Sequence, residues 1–493
     1  METAEYLKTE REQEWRAELR KQIKTKERTN IERIHMPEND PLVRNKDHRE
    51  VNIGLNEEQA VTEAQRCIDC ANPTCITGCP VEINIPKFIK KIESRDFPGA
   101  AQALKETNAL PAVCGRVCPQ EVQCEAECFY VQKLNKPAVA IGNLERFAAD
   151  FERNSGNISI PSVPESNGIK MGIIGGGPAG LTVAGDLIKM GYDVTVFEAL
   201  HEIGGVLKYG IPEFRLPNVI VDVEIESLKK MGVKFETNFV VGKTSSIDDL
   251  RNEGFEAFFV GSGAGLPRFM NIPGENLIGI YSANEYLTRI NLMTAAKQEF
   301  DTPIMSGKNV AVIGGGNTAM DSVRTSKRLG ADRSMIIYRR SREEMPARVE
   351  EVKHALEENI EFMNLHNPLE YYGDENGKVK QMKLQKMELG EPDSSGRRRP
   401  VPIEGATEII DVDTVVVAVG VSPNPLIPSS LPELDVTDWG TIKVNDDMQS
   451  SIPYLFAGGD IVRGGATVIL AMGDGRKAAQ GMHKYIQEKV KQN

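Results

Sequence analysis

Two segments of the chain share one order of apolar and polar positions. Each begins with a short apolar run, at residues 171–174 and 309–313, that leads into three consecutive glycines. A helical stretch and a second apolar run follow in both. Buried strand, amphipathic helix and buried strand in this order predict a β-α-β unit with parallel strands. The chain therefore carries a duplicated unit, which indicates an α/β fold.

The first third of the chain has a different pattern. Residues 10–33 are rich in Glu, Lys, Arg and Gln, which predicts a solvated helix. Residues 56–69 and 86–108 predict amphipathic helices that flank a cysteine-rich stretch. Residues 153–168 contain Asn, Ser, Gly and Pro and predict a linker. We expect a mostly helical domain over residues 1–152.

The glycines of the first unit have the GxGxxG spacing of a dinucleotide-binding turn. Gly175 permits the tight turn, Gly177 lets the backbone approach a pyrophosphate, and Gly180 lets the helix pack on the strand. Pro178 and Ala179 complete the turn before a helix predicted at residues 181–190, whose N–H groups would face the phosphates. Glu198 ends the second strand and would accept hydrogen bonds from ribose hydroxyls.

The second unit differs where the first has its acid. Its turn has Gly314 and Gly316 and continues through Asn317, Thr318 and Ala319, of which Ala319 takes the third glycine's place. A helix to about residue 329 follows. Arg339 and Arg340 follow the second strand. A guanidinium pairs with a 2′-phosphate that a carboxylate would repel, so this unit favours NADP over NAD. The alternative is a solvated basic turn.

Composition agrees with a multidomain α/β enzyme. The 493 residues are 40% hydrophobic, with 44 glycines and a net charge of −12. The acidic balance is unlike that of a nucleic-acid binder. The start lacks the pattern of a signal peptide, and no apolar run approaches the roughly 20 residues that span a bilayer. We expect a cytoplasmic location and no membrane partner.

All eight cysteines lie within residues 67–128, in two runs that each contain Cys-Pro. Closely spaced thiolates ending in Cys-Pro are typical of 4Fe-4S ligation, in which the last cysteine ligates the neighbouring cluster. We assign Cys67, Cys70, Cys75 and Cys128 to one cluster. We assign Cys79, Cys118 and Cys124 to the second, whose fourth ligand is either Cys114 or a carboxylate.

Two other readings of the cysteines are a structural zinc pair and a disulfide framework. Zinc sites commonly use paired CxxC units, but here the only CxxC is Cys67–Cys70, and the other gaps are wider and irregular. The spacing favours clusters.

Two nucleotide units, the first ending in an acid and the second in arginines, resemble the flavoproteins with two dinucleotide-binding domains. The resemblance implies that the first unit holds FAD, with Gly205, Gly459 and Asp460 at the flavin and the helix from Thr467 pointing at its ring. It also implies a split FAD domain over residues 168–283 and 421–493, with an NADPH domain inserted at residues 284–420.

Over nearly its whole length the chain resembles the small (β) subunit of NADPH-dependent glutamate synthase and its relatives. These include a homotetrameric form and the large subunit of NADH-dependent reduced ferredoxin:NADP oxidoreductase. The resemblance lies in motifs at residues 78–80, 115–119, 141–145, 210–217 and 314–321. It implies hydride transfer from NADPH to FAD, then single-electron transfer through two clusters to an acceptor. It also favours Glu145 as the second cluster's fourth ligand.

The sequence does not decide which protein accepts the electrons. Residues 110–114 and 120–124 are nearer the homotetrameric and ferredoxin-linked branches, and the chain has no amidotransferase cysteine or FMN barrel of its own. The expected partner is a large glutamate synthase subunit, or ferredoxin with a second flavoprotein, or further copies of the chain. A redox-sensing protein without enzymatic activity is a third possibility.

No residue is predicted to act as a catalytic acid or base. His201 and His354 are expected at surface or packing positions. A disulfide reductase is excluded because no cysteine follows Cys128.

Overall fold

The computed structural model describes residues 4–297, 299–304 and 306–492. Its amino-terminal part is helical and is followed by two parallel sheets. The helices of the first part are α1 (Ala4–Arg11), α2 (Glu14–Gln22), α3 (Thr25–Arg28), α4 (Pro41–Arg44), α5 (Glu57–Arg66), α6 (Thr74–Thr77), α7 (Ile85–Glu93), α8 (Phe97–Lys105), α9 (Pro111–Val117), α10 (Phe129–Leu134) and α11 (Ile141–Ser155).

Local side-chain chemistry fixes where these helices begin. Asn56 caps α5 by accepting from the backbone of Gln59, whose side chain accepts in return from the Asn56 backbone.

The helix predicted over residues 86–108 is instead two helices, α7 and α8. Arg95 adopts φ +62°, and the Asp96 side chain then accepts from the Gly99 N–H to start α8. The hydrophobic periodicity continues through this break, and so the sequence pattern did not reveal it.

The first parallel sheet has the strand order β15-β4-β1-β2-β3. Its carboxyl-terminal strand β15 pairs in parallel with β4. The sheet therefore takes strands from the chain segments before and after the second unit. The elements of its first part are β1 (Lys170–Ile174), α12 (Pro178–Lys189), β2 (Asp193–Phe197), α13 (Val206–Tyr209), α14 (Asn218–Lys230), β3 (Lys234–Glu236), α15 (Ile247–Asn252), β4 (Phe255–Val260) and β5 (Leu266–Pro267). After the second unit come β14 (Val421–Ser422), α19 (Leu426–Ser430), β15 (Leu455–Ala457), α20 (Asp460–Arg463) and α21 (Val468–Gln492).

The second parallel sheet has the order β6-β13-β7-β8-β9. Strand β6 belongs to it, so this sheet begins before the boundary predicted at residue 283. Its elements are β6 (Ile280–Ser282), α16 (Ala283–Asn291), β7 (Asn309–Ile313), α17 (Asn317–Arg328), β8 (Arg333–Tyr338), α18 (Val349–Glu357), β9 (Glu361–Asn364) and β13 (Thr414–Val417).

An antiparallel sheet of order β10-β11-β12 extends the second unit. It consists of β10 (His366–Gly373), β11 (Val379–Pro392) and β12 (Arg398–Asp411). Strands β11 and β12 form a long hairpin whose tip is residues 393–397. The sequence analysis did not anticipate this sheet, because its outer strand is mostly exposed and shows no apolar alternation.

The helical part and the first sheet share one hydrophobic core, which runs from Leu55 in the amino-terminal region to Ile486 in α21. The second sheet has separate apolar layers on its two faces. Burial of apolar surface therefore joins the helical part firmly to the first unit. Within the described residues, every helix is too short or too polar to cross a membrane.

Candidate cofactor cavity and cysteine groups

One cavity of about 1870 Å³ lies between the two parallel sheets. Both glycine-rich turns line it. The predicted cofactor residues found on its wall are Gly175, Gly177, Pro178, Ala179, Glu198, Gly205, Gly314, Gly316, Asn317, Thr318, Arg339, Arg340, Gly459, Asp460 and Thr467. Gly180 and Ala319 are not on the wall. They occupy the third fingerprint position, which serves helix–strand packing and needs no contact with a ligand.

Close backbone packing explains the glycines of the first turn. Gly175 has φ +104°, and a Cβ there would come within 2.6 Å of the Gly261 carbonyl oxygen. A Cβ on Gly180 would lie 2.0 Å from the Gly175 oxygen. At Gly177, by contrast, the nearest atom to such a Cβ is 4.0 Å away. Packing thus requires glycine at positions 175 and 180, and Gly177 leaves open space at the start of α12.

The amino-terminal N–H groups of α12 and α17 face the cavity without a side-chain cap. Each helix begins directly after a wall glycine, Gly177 or Gly316. Free N–H groups and the helix dipole together favour a phosphate at such a position. Both turns therefore fit the pyrophosphate of a dinucleotide.

Three acids on the cavity wall are buried or partly buried, namely Glu198, Asp321 and Asp460, and Asp321 already pairs with Arg215. The other two differ from it. Glu198 accepts from the N–H groups of Gly176 at 2.7 Å and Leu200 at 2.9 Å, and burial raises its pKa. Asp460 accepts from the Ala466 N–H at 3.1 Å, and burial raises its pKa to about 6. Neither acid forms an ion pair within the described part of the chain, so both are available to ligand hydroxyls.

The two predicted arginines have different surroundings. Arg340 is buried and donates to Asp393 at the hairpin tip, 2.5 Å away. Arg339 is exposed on the cavity wall and has no carboxylate partner among the described residues. The structure thus leaves Arg339 available to a ligand and ties Arg340 to the protein.

The cysteines form two groups that differ in exposure. Burial raises the pKa of Cys75, and the neighbouring charges of Cys67, Cys128 and Cys70 raise it further. These four thiols, which we call the outer group, are partly exposed. The inner group is fully buried and consists of Cys79, Cys114, Cys118 and Cys124.

Glu145 adjoins the inner group. Burial raises the pKa values of Cys79 and Cys124, and the neighbouring Cys114 raises that of Cys118. The charge of Glu145 raises all three pKa values further. Asn108 donates to Glu145 at 2.9 Å. Burial raises the pKa of Glu145 to about 8, and no described cation pairs with it.

Cys114 lies beside the other candidate ligands of this group. Its thiol contacts Asn108 Oδ1 at 3.7 Å and Met472 Sδ at 3.5 Å, and the same Asn108 side chain donates to Glu145 at 2.9 Å. The structure therefore brings Cys114 and Glu145, the two candidates for the fourth ligand, to the same place.

The sulfur positions do not fit single zinc ions. Four thiolates on one zinc at about 2.3 Å would lie within roughly 3.8 Å of one another. Among the described residues no three cysteine sulfurs lie within 4.8 Å of one another. Burial also raises the pKa of Cys70 and of Cys79 to about 12, so thiolates there require the positive charge of bound metal.

One set of side chains does meet the spacing of a single-ion site, namely Glu38, His354 and Glu357. Arg44 already pairs with Glu38 at 3.1 Å and with Glu357 at 2.7 Å, and Lys353 pairs with the same two carboxylates. These cations neutralise the acids, so the set is an ion-pair network between the helical part and α18. His354 is buried within it, whereas His201 is exposed.

The inner cysteine group borders the cavity. Val117 and Pro119, on either side of Cys118, line the cavity wall. A Cβ on Gly473 of α21 would meet the Pro80 oxygen at 2.9 Å, so α21 packs directly on the residue after Cys79. The buried thiols thus lie between the cavity and the outer group.

Sequence reasoning missed two arginines of this region. Arg397 lines the cavity from the hairpin tip. Arg348 joins the second unit to the cysteine loop by donating to the Gln120 side chain. The sequence offered little indication of their roles. Arg397 belongs to a run of three arginines, and Arg348 is a single arginine two residues after a proline, and both contexts resemble surface positions.

Two family models match the chain. One, described as dihydropyrimidine dehydrogenase domain II, 4Fe-4S cluster, matches residues 44–157. The other, described as pyridine nucleotide-disulphide oxidoreductase, matches residues 169–475.

Curated relatives cover almost the whole chain. The glutamate synthase [NADPH] small chain of Azospirillum brasilense is 37% identical over 92% of this chain and 95% of its own length. The small chain of Escherichia coli (strain K12) is 37% identical over 93% and 98%. The NADP(+)-dependent formate dehydrogenase subunit beta of Moorella thermoacetica is 36% identical over 84% of this chain and 60% of its own length.

Among solved structures, FprA from Mycobacterium tuberculosis in complex with NADPH has a TM-score of 0.56 at 22% identity, covering 66% of this chain and 86% of its own. That likeness is one of fold. Together the matches confirm the predicted fold class, two dinucleotide-binding domains after a helical iron–sulfur domain, and the predicted classes of cofactor.

Proposed function

The chain belongs to the family of the NADPH-dependent glutamate synthase small chains, and from that membership we propose that it oxidises NADPH and delivers the electrons to an acceptor protein. FAD would occupy the first glycine-rich turn, NADPH the second, and two 4Fe-4S clusters the cysteine groups. The corresponding domain ranges are residues 1–152, 168–283 with 421–493, and 284–420, the last extended to include β6.

The continuity of one cavity carries this proposal. Both nucleotide turns open into it, and its wall reaches the residues that flank Cys118. When bound, FAD takes up a hydride and can release single electrons, which 4Fe-4S clusters can carry. A cavity that connects the two turns to the inner cysteine group is the arrangement such a relay requires.

The protein's own residues bind and orient in this scheme. Helices α12 and α17 direct N–H groups at the two pyrophosphates. Glu198 and Asp460 accept hydrogen bonds from ribose and ribitol hydroxyls. The inner group is buried and the outer group is partly exposed, so the two groups would hold one cluster beside the cavity and one nearer the surface.

For the second cluster we propose Cys79, Cys118, Cys124 and Glu145 as ligands. Glu145 is a buried carboxylate with no cationic partner among the described residues, and a metal supplies the missing charge. Cys114 donates instead to Asn108 Oδ1 at 3.7 Å and contacts Met472 Sδ at 3.5 Å, so its thiol already has partners within the protein. Cys114 then lies beside the cluster as a hydrogen-bond donor.

Anaerobic purification with flavin and metal analysis tests the cofactors. We expect one FAD and about eight irons per chain if two 4Fe-4S clusters are bound. Addition of NADPH should bleach the flavin band within a turnover and support reduction of an artificial dye. Zinc in place of iron, or a flavin that NADPH does not bleach, would refute the proposal and leave a non-enzymatic flavoprotein.

The acceptor is proposed to be a glutamate synthase large subunit, with ferredoxin and a second flavoprotein as the alternative. Related chains bear different names, including a formate dehydrogenase subunit and an NADPH-Fe(3+) oxidoreductase subunit from Geobacter sulfurreducens, and these names point to more than one activity among the relatives. Copurification from the native host distinguishes the two. An FMN-barrel partner supports glutamate synthesis, and a ferredoxin-reductase-like partner supports the alternative. Size measurement reports whether copies of the chain also associate.

A further inference from the structure

The tip of the β11–β12 hairpin brings a third arginine to the cavity. Arg397 lines the same wall as Arg339 and Arg340. Its Nε donates to Ser395 Oγ at 3.0 Å, and no described carboxylate pairs with it. Arg339 likewise lacks an acidic partner within the described residues. The cavity therefore has two unneutralised guanidinium groups at the end where β8 finishes.

Arg340 has a different role because it holds the hairpin tip in place. Its Nη2 donates to Asp393 Oδ2 at 2.5 Å. The other oxygen of Asp393 accepts from the backbone N–H of Ser395 at 2.8 Å, and the Asp393 N–H donates to the Arg397 carbonyl oxygen at 2.8 Å. Asp393 thus closes the turn that carries Arg397 and fastens that turn to the strand end that carries Arg339.

We infer that Arg397 binds the 2′-phosphate of NADPH together with Arg339, and that Arg340 is a positioning residue that acts through Asp393. This inference rests on the proposed function and names how its second nucleotide site selects NADPH. Guanidinium groups bind phosphate by paired N–H bonds, and two groups from different elements can enclose it. The neighbouring Arg398 does not compete, since Glu344 pairs with it at 2.7 Å.

Binding of 2′,5′-ADP, compared with 5′-AMP, tests the assignment without turnover. The measurement is calorimetric titration of the purified holoenzyme, with wild type, Arg397→Gln and the matched control Arg399→Gln. Arg399 is exposed, lies two positions further along the chain at the start of β12 and does not line the cavity. We expect Arg397→Gln to weaken 2′,5′-ADP binding roughly tenfold to hundredfold, with 5′-AMP binding unchanged. Arg399→Gln should match wild type.

The possible outcomes separate this inference from the proposed function. If wild type does not prefer 2′,5′-ADP to 5′-AMP, the proposed NADPH site itself is refuted. If wild type prefers it and Arg397→Gln retains the preference, only the role of Arg397 is refuted. If Arg397→Gln and Arg399→Gln weaken 2′,5′-ADP binding equally, the effect comes from general surface charge, and the inference is again overturned.

Asp393→Asn separates positioning from direct contact at Arg340. Asparagine keeps the acceptor for the Ser395 N–H but loses the charge that holds Arg340. If Arg340 only positions the tip, this variant binds 2′,5′-ADP more weakly than wild type. If Arg340 contacts the phosphate itself, removal of the competing carboxylate strengthens binding, and the positioning role is wrong. Unchanged binding would equally refute it.

Discussion

Arg348 Nη2 donates to Gln120 Oε1 at 2.8 Å and so joins the second nucleotide unit to the loop between Cys118 and Cys124. The same guanidinium donates through Nη1 to the Arg116 carbonyl oxygen at 2.9 Å. Its backbone N–H donates to the side chain of Asn317, which lines the cavity at the start of α17. One residue thus contacts both the nucleotide turn and the cysteine loop.

Arg348→Leu should therefore weaken the connection between the two parts. Its side chain is only 10% exposed, and hydrogen bonds that involve a charged group contribute about 1.5–3 kcal/mol each, so we expect a stability loss of about 2 kcal/mol or more. Urea unfolding measures this loss. Flavin bleaching by NADPH should persist, and dye reduction through the clusters should slow. The control is Arg342→Leu, an exposed arginine of the same segment, which should unfold like wild type.

Such long-range contacts mark the limit of what the sequence could predict. Strands β1 and β7 lie where the apolar runs at residues 171–174 and 309–313 placed them, because local burial decides them. The sequence analysis divided the cysteines in the same way, and their assignment as cluster ligands stays a prediction. The Arg348–Gln120 bond and the Arg340–Asp393 pair join residues 228 and 53 positions apart, and no local pattern encodes them.

Gly314 and Gly316 should respond differently to alanine. At Gly314, φ is +138° and a Cβ would lie 2.4 Å from the Ala418 oxygen, so Gly314→Ala should destabilise the second unit. At Gly316 no atom lies within 4 Å of a Cβ, so Gly316→Ala should fold like wild type. Its methyl group would instead crowd the phosphate of NADPH and raise KM. Thermal unfolding and NADPH titration separate the two effects, and a folded, tightly binding Gly314→Ala would contradict this account.

Glu351 should make the protein less stable in acid. Burial disfavours its charged form, but Arg215 and Arg324 outweigh this and lower its pKa from 4.5 to about 2. The unfolded chain then binds the proton more readily, so the stabilisation is complete above pH 4.5 and is lost as pH falls toward 2. A shift of this size corresponds to about 3 kcal/mol.

Comparison of wild type with Glu351→Gln tests this. The glutamine variant should be less stable at pH 7, and the difference in unfolding free energy between the two should shrink as pH falls from about 5 to about 3. Chemical unfolding at several pH values measures the difference. A constant difference across this range would show that Glu351 does not cause the acid sensitivity.

Arg339→Asp should lower the preference for NADPH over NADH. The carboxylate would repel the 2′-phosphate that Arg339 is proposed to pair with, and we expect kcat/KM for NADPH to fall by roughly tenfold to hundredfold. Activity with NADH should stay the same or rise. Arg342→Asp is the matched control, because Arg342 is exposed nearby but does not line the cavity. Equal losses with NADPH and NADH would show that the phosphate is bound elsewhere.

Glu145 and Cys114 can be distinguished as ligands by iron content and spectra. If Glu145 is the ligand, Glu145→Ala should lose the inner cluster and about half of the iron, because two 4Fe-4S clusters share it equally. Cys114→Ser should keep the iron, since it changes only the contacts to Asn108 and Met472 and removes no ligand. Cys124→Ser provides the reference for losing an inner ligand. The opposite result would be loss of iron from Cys114→Ser and retention of iron in Glu145→Ala, and it would make Cys114 the ligand. Glu145 would then be protonated near neutral pH, because burial raises its pKa to about 8.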